Sequence, residues 1–152
     1  MNAKAMDAIA LLSSDHREVE ELFEQFEKQG DRANAKKKKI ADQICTALIL
    51  HAQIEEEIFY PAARAAVKEA GDLLDEAAVE HASAKDLIMQ IQEMDPEDEL
   101  YDAKVKVLSE QIEHHVKEEE KEMFPKVRKA ELDLLALAEE MVTRKDELIA
   151  TI

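Results

Sequence analysis

Only two glycines and three prolines interrupt 152 residues, and this shortage of chain-reversing punctuation constrains the fold more than any other feature. A β-sandwich or a doubly wound α/β domain needs a turn about every 8–12 residues, built largely from glycine and proline. Strands would also call for more aromatic and β-branched side chains than a 4% aromatic content supplies. The breaks that do occur, Gly30, Gly71 and Asp95-Pro96, bound long stretches whose apolar residues recur at three and four, the helical period. This predicts helices over 7–29, 34–60, 73–94 and 98–124. Pro61 and Pro125 each close or kink a helix. Beyond them AARAAVKEA and KVRKAELDLLALAEEMVTRKDELIATI regain helical periodicity, the latter as a fifth helix over about 129–150. Short connections favour antiparallel neighbours. The expected fold is therefore all-α: one domain over 1–152, an up-down-up-down antiparallel four-helix bundle at about 7–125 with a C-terminal helical extension.

Charge narrows the partners. Against 20 Lys plus Arg stand 36 Asp plus Glu, a net charge of -16, which repels nucleic-acid phosphates and anionic membranes but suits cations. The run Lys36 to Lys39 reads as a solvated helical face beside a turn rather than a nucleic-acid patch. Apolar stretches such as AIALL and TALILHA fall far short of the roughly 20 residues of a membrane span. The opening MNAKAMDAIALLSSD has neither a basic start followed by a long apolar run nor a small-residue cleavage site. A lone Cys45 has no disulfide partner within the chain and fits a helical apolar pattern as a small buried filler. A cytoplasmic location is expected.

The five histidines expose an internal repeat. DHREVEELFEQF at 15–26 lies over EHASAKDLIMQI at 80–91 with an offset of 65, and HAQIEEEIFYP at 51–61 lies over HVKEEEKEMFP at 115–125 with an offset of 64. In each half an acid-His pair opens the first segment. A carboxylate follows the second histidine by four residues and a proline follows it by ten. Two helical hairpins related by a pseudo-twofold are expected.

Spacing becomes geometry through the helical period. The first helix carries a stripe of Ile9, Leu12, His16, Val19, Phe23 and Phe26; the second Ile40, Ile44, Ala47, His51, Glu55 and Ile58. The third carries Leu74, Ala77, His81, Ala84, Ile88 and Ile91; the fourth Tyr101, Val105, Leu108, Ile112, His115 and Glu119. Each helix aims one histidine at the core, and two add a glutamate one turn on. A single histidine on an apolar face is most simply a hydrogen-bonded core residue. Two buried carboxylates tilt the balance, because each costs several kcal/mol unless compensated and the stripes hold no arginine. Protonated glutamates paired with histidines would satisfy such a core without metal. The repeated spacing favours metal, since side chains at i and i+4 lie one above the other and present a nitrogen and an oxygen together.

His16, His51, Glu55, His81, His115 and Glu119 thus form a candidate dinuclear site of four imidazoles and two carboxylates. Without thiolate, that set suits iron, manganese or zinc. Two divalent ions against two glutamates leave charge for a bridging oxide or hydroxide. Six side chains leave room for water, oxygen, peroxide or nitric oxide. The alternative pair His114 and Glu118 would displace the site by about 100° around its helix, and the repeat favours 115 with 119. Glu56, Glu57, Glu118 and Glu120 read as solvated or as outer partners of the ligands. Lys85, one turn from His81, either reaches the open positions or snorkels to the bundle edge. Tyr60 and Tyr101 are expected to be packing residues.

DHREVEELFEQF, HAQIEEEIFYP, EHASAKDL and HHVKEEEKEMFP resemble the hemerythrin-like, or HHE cation-binding, family across residues 7–150. The resemblance implies a non-haem di-iron centre in a four-helix bundle with those same six ligands. Oxygen-carrying members place a further histidine where this chain has Lys85, and an Asp where it has Glu120, so the pattern looks more like iron-sensing and iron-centre repair members. Ferritin-like bundles, whose ligands are mainly carboxylates, fit less well. The expected function is binding of oxygen, peroxide or nitric oxide in sensing, scavenging or iron handling. A peroxide-decomposing, catalase-like enzyme and an iron-stabilised interaction module with a protein partner are the alternatives; neither nucleic acid nor membrane is an expected partner.

Overall fold

A computed structural model describes residues 6–30 and 33–151, so the expected domain limits at residues 1 and 152 lie outside the described residues. Among these residues all regular structure is helical. α1 (Ala8–Glu27) starts where the Asp7 carboxylate accepts a hydrogen bond from the Ala10 backbone N–H at 2.8 Å, a side-chain N-cap. α2 (Asn34–Ile54) runs through a π-helical turn, Glu55–Phe59, into α3 (Tyr60–Ala66). After a short 3₁₀ turn come α4 (Gly71–Glu93) and α5 (Tyr101–Glu118). A second π-helical turn, Glu119–Met123, leads into α6 (Phe124–Lys129), and α7 (Leu134–Ala150) follows under an Asp133 N-cap.

The two π-turns occupy repeat-equivalent positions, and each closes with an i→i−5 bond, Tyr60 N–H to the Glu55 carbonyl and Phe124 N–H to the Glu119 carbonyl. An extra residue in one turn moves every later side chain by about 100° relative to an unbroken α-helix. Pro61 and Pro125 sit at the second position of the resumed helices, where a missing N–H is tolerated. The prolines therefore mark a change of register within a continuing helix. That shift corrects the predicted stripe at its end: Phe59 and Tyr60 are buried and Ile58 only partly so.

Buried apolar residues form two clusters with the histidine layer between them. One holds Leu12, Ile54, Phe59, Leu74 and Phe124 together with Leu137 and Met141 of α7. The other holds Val19, Phe23, Ile44, Leu48, Ile88 and Tyr101. Along the chain His16 falls between Leu12 and Val19, and His51 between Leu48 and Ile54. α7 packs on α1 and α2, burying Ala138 and Met141 while Leu135 and Val142 face solvent. Cys45 is buried.

The lysine run is not uniformly solvated. Lys37 is buried, its ammonium 2.7 Å from Asp102 Oδ1 and 5.8 Å from the Phe26 ring centroid, because its long stem can cross apolar surface to reach a carboxylate at the rim. Tyr101 packs as expected, tilted against Phe26 with ring centroids 6.2 Å apart. Its hydroxyl is buried with no hydrogen-bond partner among the described residues. An unsatisfied buried hydroxyl costs about 1–3 kcal/mol. Tyr101→Phe should therefore leave the thermal midpoint unchanged or raise it by a few degrees, at about 2–4 °C per kcal/mol for a chain of this size. A lower midpoint by calorimetry would show that the hydroxyl is satisfied.

Candidate metal centre

The six predicted donors meet in the layer between the two apolar clusters. Glu55 is 0% and Glu119 1% exposed, and His16, His51, His81 and His115 are all buried. Glu55 Oε1 lies 3.3 Å from His51 Nε2 and 3.2 Å from His81 Nε2, so this one oxygen faces both hairpins. Glu119 also spans them, with Oε1 3.0 Å from His16 Nε2 and Oε2 3.2 Å from His115 Nε2. Donor atoms gather into two groups compatible with a cation: His16, His51, Glu55 and Glu119, and then Glu55, His81 and His115. Glu55 belongs to both.

These inward atoms approach one another without forming a complete hydrogen-bond network. His16 Nε2, His51 Nε2, both Glu55 oxygens and Glu119 Oε1 are buried without a hydrogen-bond partner among the described residues. Buried polar atoms are almost always satisfied, so a cluster of orphans on N and O donors alone is the signature of a cation site.

The outward nitrogens are fully committed. His16 Nδ1 meets Glu120 at 2.6 Å, His51 Nδ1 meets Asp15 at 3.0 Å, His81 Nδ1 meets Glu56 at 2.7 Å and His115 Nδ1 meets Glu80 at 2.6 Å. Ionised carboxylates only accept, so each Nδ1 carries a proton; in the neutral ring Nε2 then keeps its lone pair for the interior. The arrangement follows the sequence repeat: Asp15 and Glu80 are repeat mates, as are Glu56 and Glu120. Basic groups hold three of these carboxylates from outside, Arg17 on Glu120, Lys85 on Glu56 at 2.7 Å and Lys145 of α7 on Asp15 at 3.2 Å. Lys85 thus reaches the bundle edge, the simpler of its two expected placements.

Charge follows geometry. Burial disfavours the charged form of His51, yet the Glu55 charge and the Asp15 hydrogen bond outweigh it and push its pKa up to about 10. His115 behaves likewise: burial opposes protonation, and Glu119 and Glu55 push it up to about 12. Burial works against ionisation of Glu55, but the surrounding imidazoles, His51 foremost, hold its carboxyl well below the usual range. Burial likewise opposes ionisation of Asp15, Glu56 and Glu120, and their hydrogen bonds to histidine, lysine and arginine hold them low. Glu56→Ala strips the support from His81, and removal of such an outer partner typically weakens metal binding 10–100-fold. Competition with a chromophoric chelator should read that loss.

Two features escaped sequence reasoning. Asp15 and Glu80 were visible only as the repeated acid-His pair, a signal that pointed at them without assigning a role. Tyr60 was expected to be simple packing, but its hydroxyl donates to Glu119 Oε2 at 2.5 Å and lies 3.3 Å from both His81 Nε2 and His115 Nε2. The π-turn carries it inward from the face that an α-helix would give it. Burial and the charges of Glu55 and Glu119 hold its pKa well above the usual value, so it serves as a hydrogen-bond donor. Its repeat mate is Phe124, which stacks on His16 at 6.1 Å, so the two halves of the centre differ by one hydroxyl. The alternative ligand His114 is 65% exposed and contacts Glu80 and Glu118 on the surface; the structure brings His115 into the core instead.

A protein of Nostoc sp. described as a DNA nickase is 30% identical over 118 residues, 78% of this chain, and the chain spans only 32% of that relative's length. The fold matches the crystal structure of a hemerythrin HHE cation binding domain-containing protein from Mycobacterium kansasii with a TM-score of 0.80, at 22% identity over 93% of this chain and 86% of the other. Residues 7–127 match the hemerythrin HHE cation binding domain, a span that takes in all six inward donors and all four outer carboxylates. With its two His-x-x-x-Glu pairs facing two lone histidines, the chain belongs to the hemerythrin HHE cation-binding family.

Proposed function

We propose that the chain is a non-haem di-iron protein that binds oxygen, peroxide or nitric oxide at a buried His4Glu2 centre, in sensing, scavenging or iron handling. The carrying observation is the set of buried, unpartnered Nε2 and carboxylate atoms facing one another across the pseudo-twofold. Two carboxylates in an apolar interior require compensating charge. His16 and His51 with Glu55 and Glu119 would hold one ion, and His81 and His115 with Glu55 the other. Imidazole and carboxylate donors suit iron, with manganese or zinc as substitutes. An iron pair supplies one-electron redox changes and coordination positions for a small ligand. The chain's own contribution is to orient the donors within an apolar surround. Outer carboxylates lock the histidine tautomers, apolar clusters flank the layer on both sides, and the Tyr60 hydroxyl donates a hydrogen bond to Glu119 Oε2.

In the same reading α1, α2, α4 and α5 form the up-down-up-down antiparallel bundle, α7 is its extension, and the protein works in the cytoplasm. DNA strand cleavage has little support here, since this chain corresponds to a third of the nickase's length and a charge of -16 repels a phosphate backbone. Iron-loaded protein titrated anaerobically with oxygen, hydrogen peroxide and nitric oxide should show a saturable change in visible absorption with at least one of them. Silence with all three in protein carrying about two irons per chain would overturn the proposal. Sustained oxygen evolution from peroxide would move it to the catalase-like alternative.

A further inference from the structure

A cavity of about 350 Å³ adjoins the histidine layer on the side of the Val19 cluster. All four buried histidines line it, while Glu55, Glu119 and Tyr60 do not. The apolar part of the wall includes a ring of residues about one turn from each histidine, Val19, Leu48, Ala84 and Ile112, with Ile88, Ala52 and Val116 beside it. In the repeat, Leu48 is answered by Ile112, but Val19 is answered by Ala84. Ala84 lacks the branched methyl groups of its mate, which widens the ring on the α4 side. Exposed Val79, Ser83 and His114 also line the cavity, so it leads from the surface between α4 and α5 to the imidazoles.

Size separates this cavity from a pocket for a diatomic. A water-sized molecule takes about 30 Å³, and an apolar protein cavity of about 150 Å³ holds benzene. Small organic ligands occupy pockets from about 300 Å³ upward. Anions are disfavoured along the cavity because its wall carries the carboxylates Asp15 and Glu80, and its one lysine, Lys85, is already paired with Glu56 at 2.7 Å. We propose that this cavity binds an uncharged organic molecule with a compact hydrocarbon body, its single polar end turned towards the four histidines. The direction of the polar end rests on the metal centre proposed above; the apolar chamber does not.

The test uses 2-phenyl-2-propanol as probe and zinc-loaded protein, whose metal is diamagnetic, with methyl resonances followed by NMR. Saturable shifts are expected at the methyls of Leu48, Ile88 and Ile112, with Ile9 and Ile58 in the opposite cluster unmoved. Benzoate, of similar bulk but charged, should bind at least tenfold more weakly. Ala84→Leu fills the ring and should weaken probe binding at least tenfold; Ala84→Val, which restores the repeat residue, gives a smaller loss in the same direction if the leucine variant folds poorly. Absence of saturable shifts, equal binding of benzoate, or unchanged affinity in both Ala84 variants would overturn the proposal. Zinc content, measured on the same samples, reports separately on the metal centre, and repeating the titration after chelation keeps the cavity testable if metal is absent.

Discussion

Glu55→Ala should abolish metal binding at both halves of the centre, taking the metal content of the loaded protein to near zero. Glu55 stands in both donor groups, whereas any one histidine stands in only one, so its loss would take an oxygen donor from both groups at once. The thermal consequence follows from linkage. Saturation at about 1,000 times Kd stabilises a protein by about 4 kcal/mol per site. At about 2–4 °C per kcal/mol for a chain of this size, chelation should lower the midpoint of the wild type by roughly 15–30 °C. The midpoint of Glu55→Ala should not respond to chelator. Glu57→Ala alters a neighbouring residue that pairs with Arg144 on the surface, and should keep both metal and the chelator response. A Glu55→Ala protein that retains two ions by elemental analysis would remove Glu55 from the ligand set.

Stability after chelation should fall as pH rises from about 6.5 to about 10, while metal affinity rises over the same interval. His51 has its pKa raised from 6.5 to about 10 in the folded chain, and His115 to about 12. A group bound more tightly to its proton when folded contributes stability fully present below its unfolded pKa and lost as pH climbs through the folded one. Glu55 has the opposite sign. Its lowered pKa contributes above the ordinary carboxyl value of 4.5 and is lost as pH falls below it. The chelated protein should therefore be most stable between about pH 4.5 and 6.5. Metal reverses the upper limb, because a cation needs the Nε2 lone pairs and displaces protons from them. Denaturant titrations of chelated and loaded protein at pH 6 and pH 9 should diverge. Parallel curves would show that the histidines carry no proton in the chelated chain.

Most of this centre was readable because helical periodicity and a repeat converge on the same residues. His16, His81 and their stripes follow from spacing alone, and the choice of His115 over His114 follows from the offset of 64 before exposure decides it. What spacing could not reveal was the change of helical period itself. Nothing in EEEIF or EEKEM announces a turn closed at i−5, so an unbroken period carries the stripe to Ile58, whereas the chain turns Phe59 and Tyr60 inward. Tyr60 enters the site for that reason. Lys37 was misplaced for a different one: charge runs identify a face, but a long side chain chooses its own direction once a carboxylate such as Asp102 lies within reach. The fifth helix was legible, yet its docking on α1 and α2, and the reach of Lys145 to Asp15, depend on contacts distant in sequence.

The two matching hairpins also bear on what a single chain gains over two identical ones. Each half of the chain carries two of the buried histidines and one of the buried glutamates, so a lone hairpin of some 64 residues would need a second copy of itself to present the full donor set. Joining the copies makes assembly independent of concentration, and it frees each half from having to be identical to the other. A hydroxyl at Tyr60 against Phe124, a methyl at Ala84 against the isopropyl of Val19, and a helix docked on one flank alone are distinctions that a symmetric dimer has no means to encode.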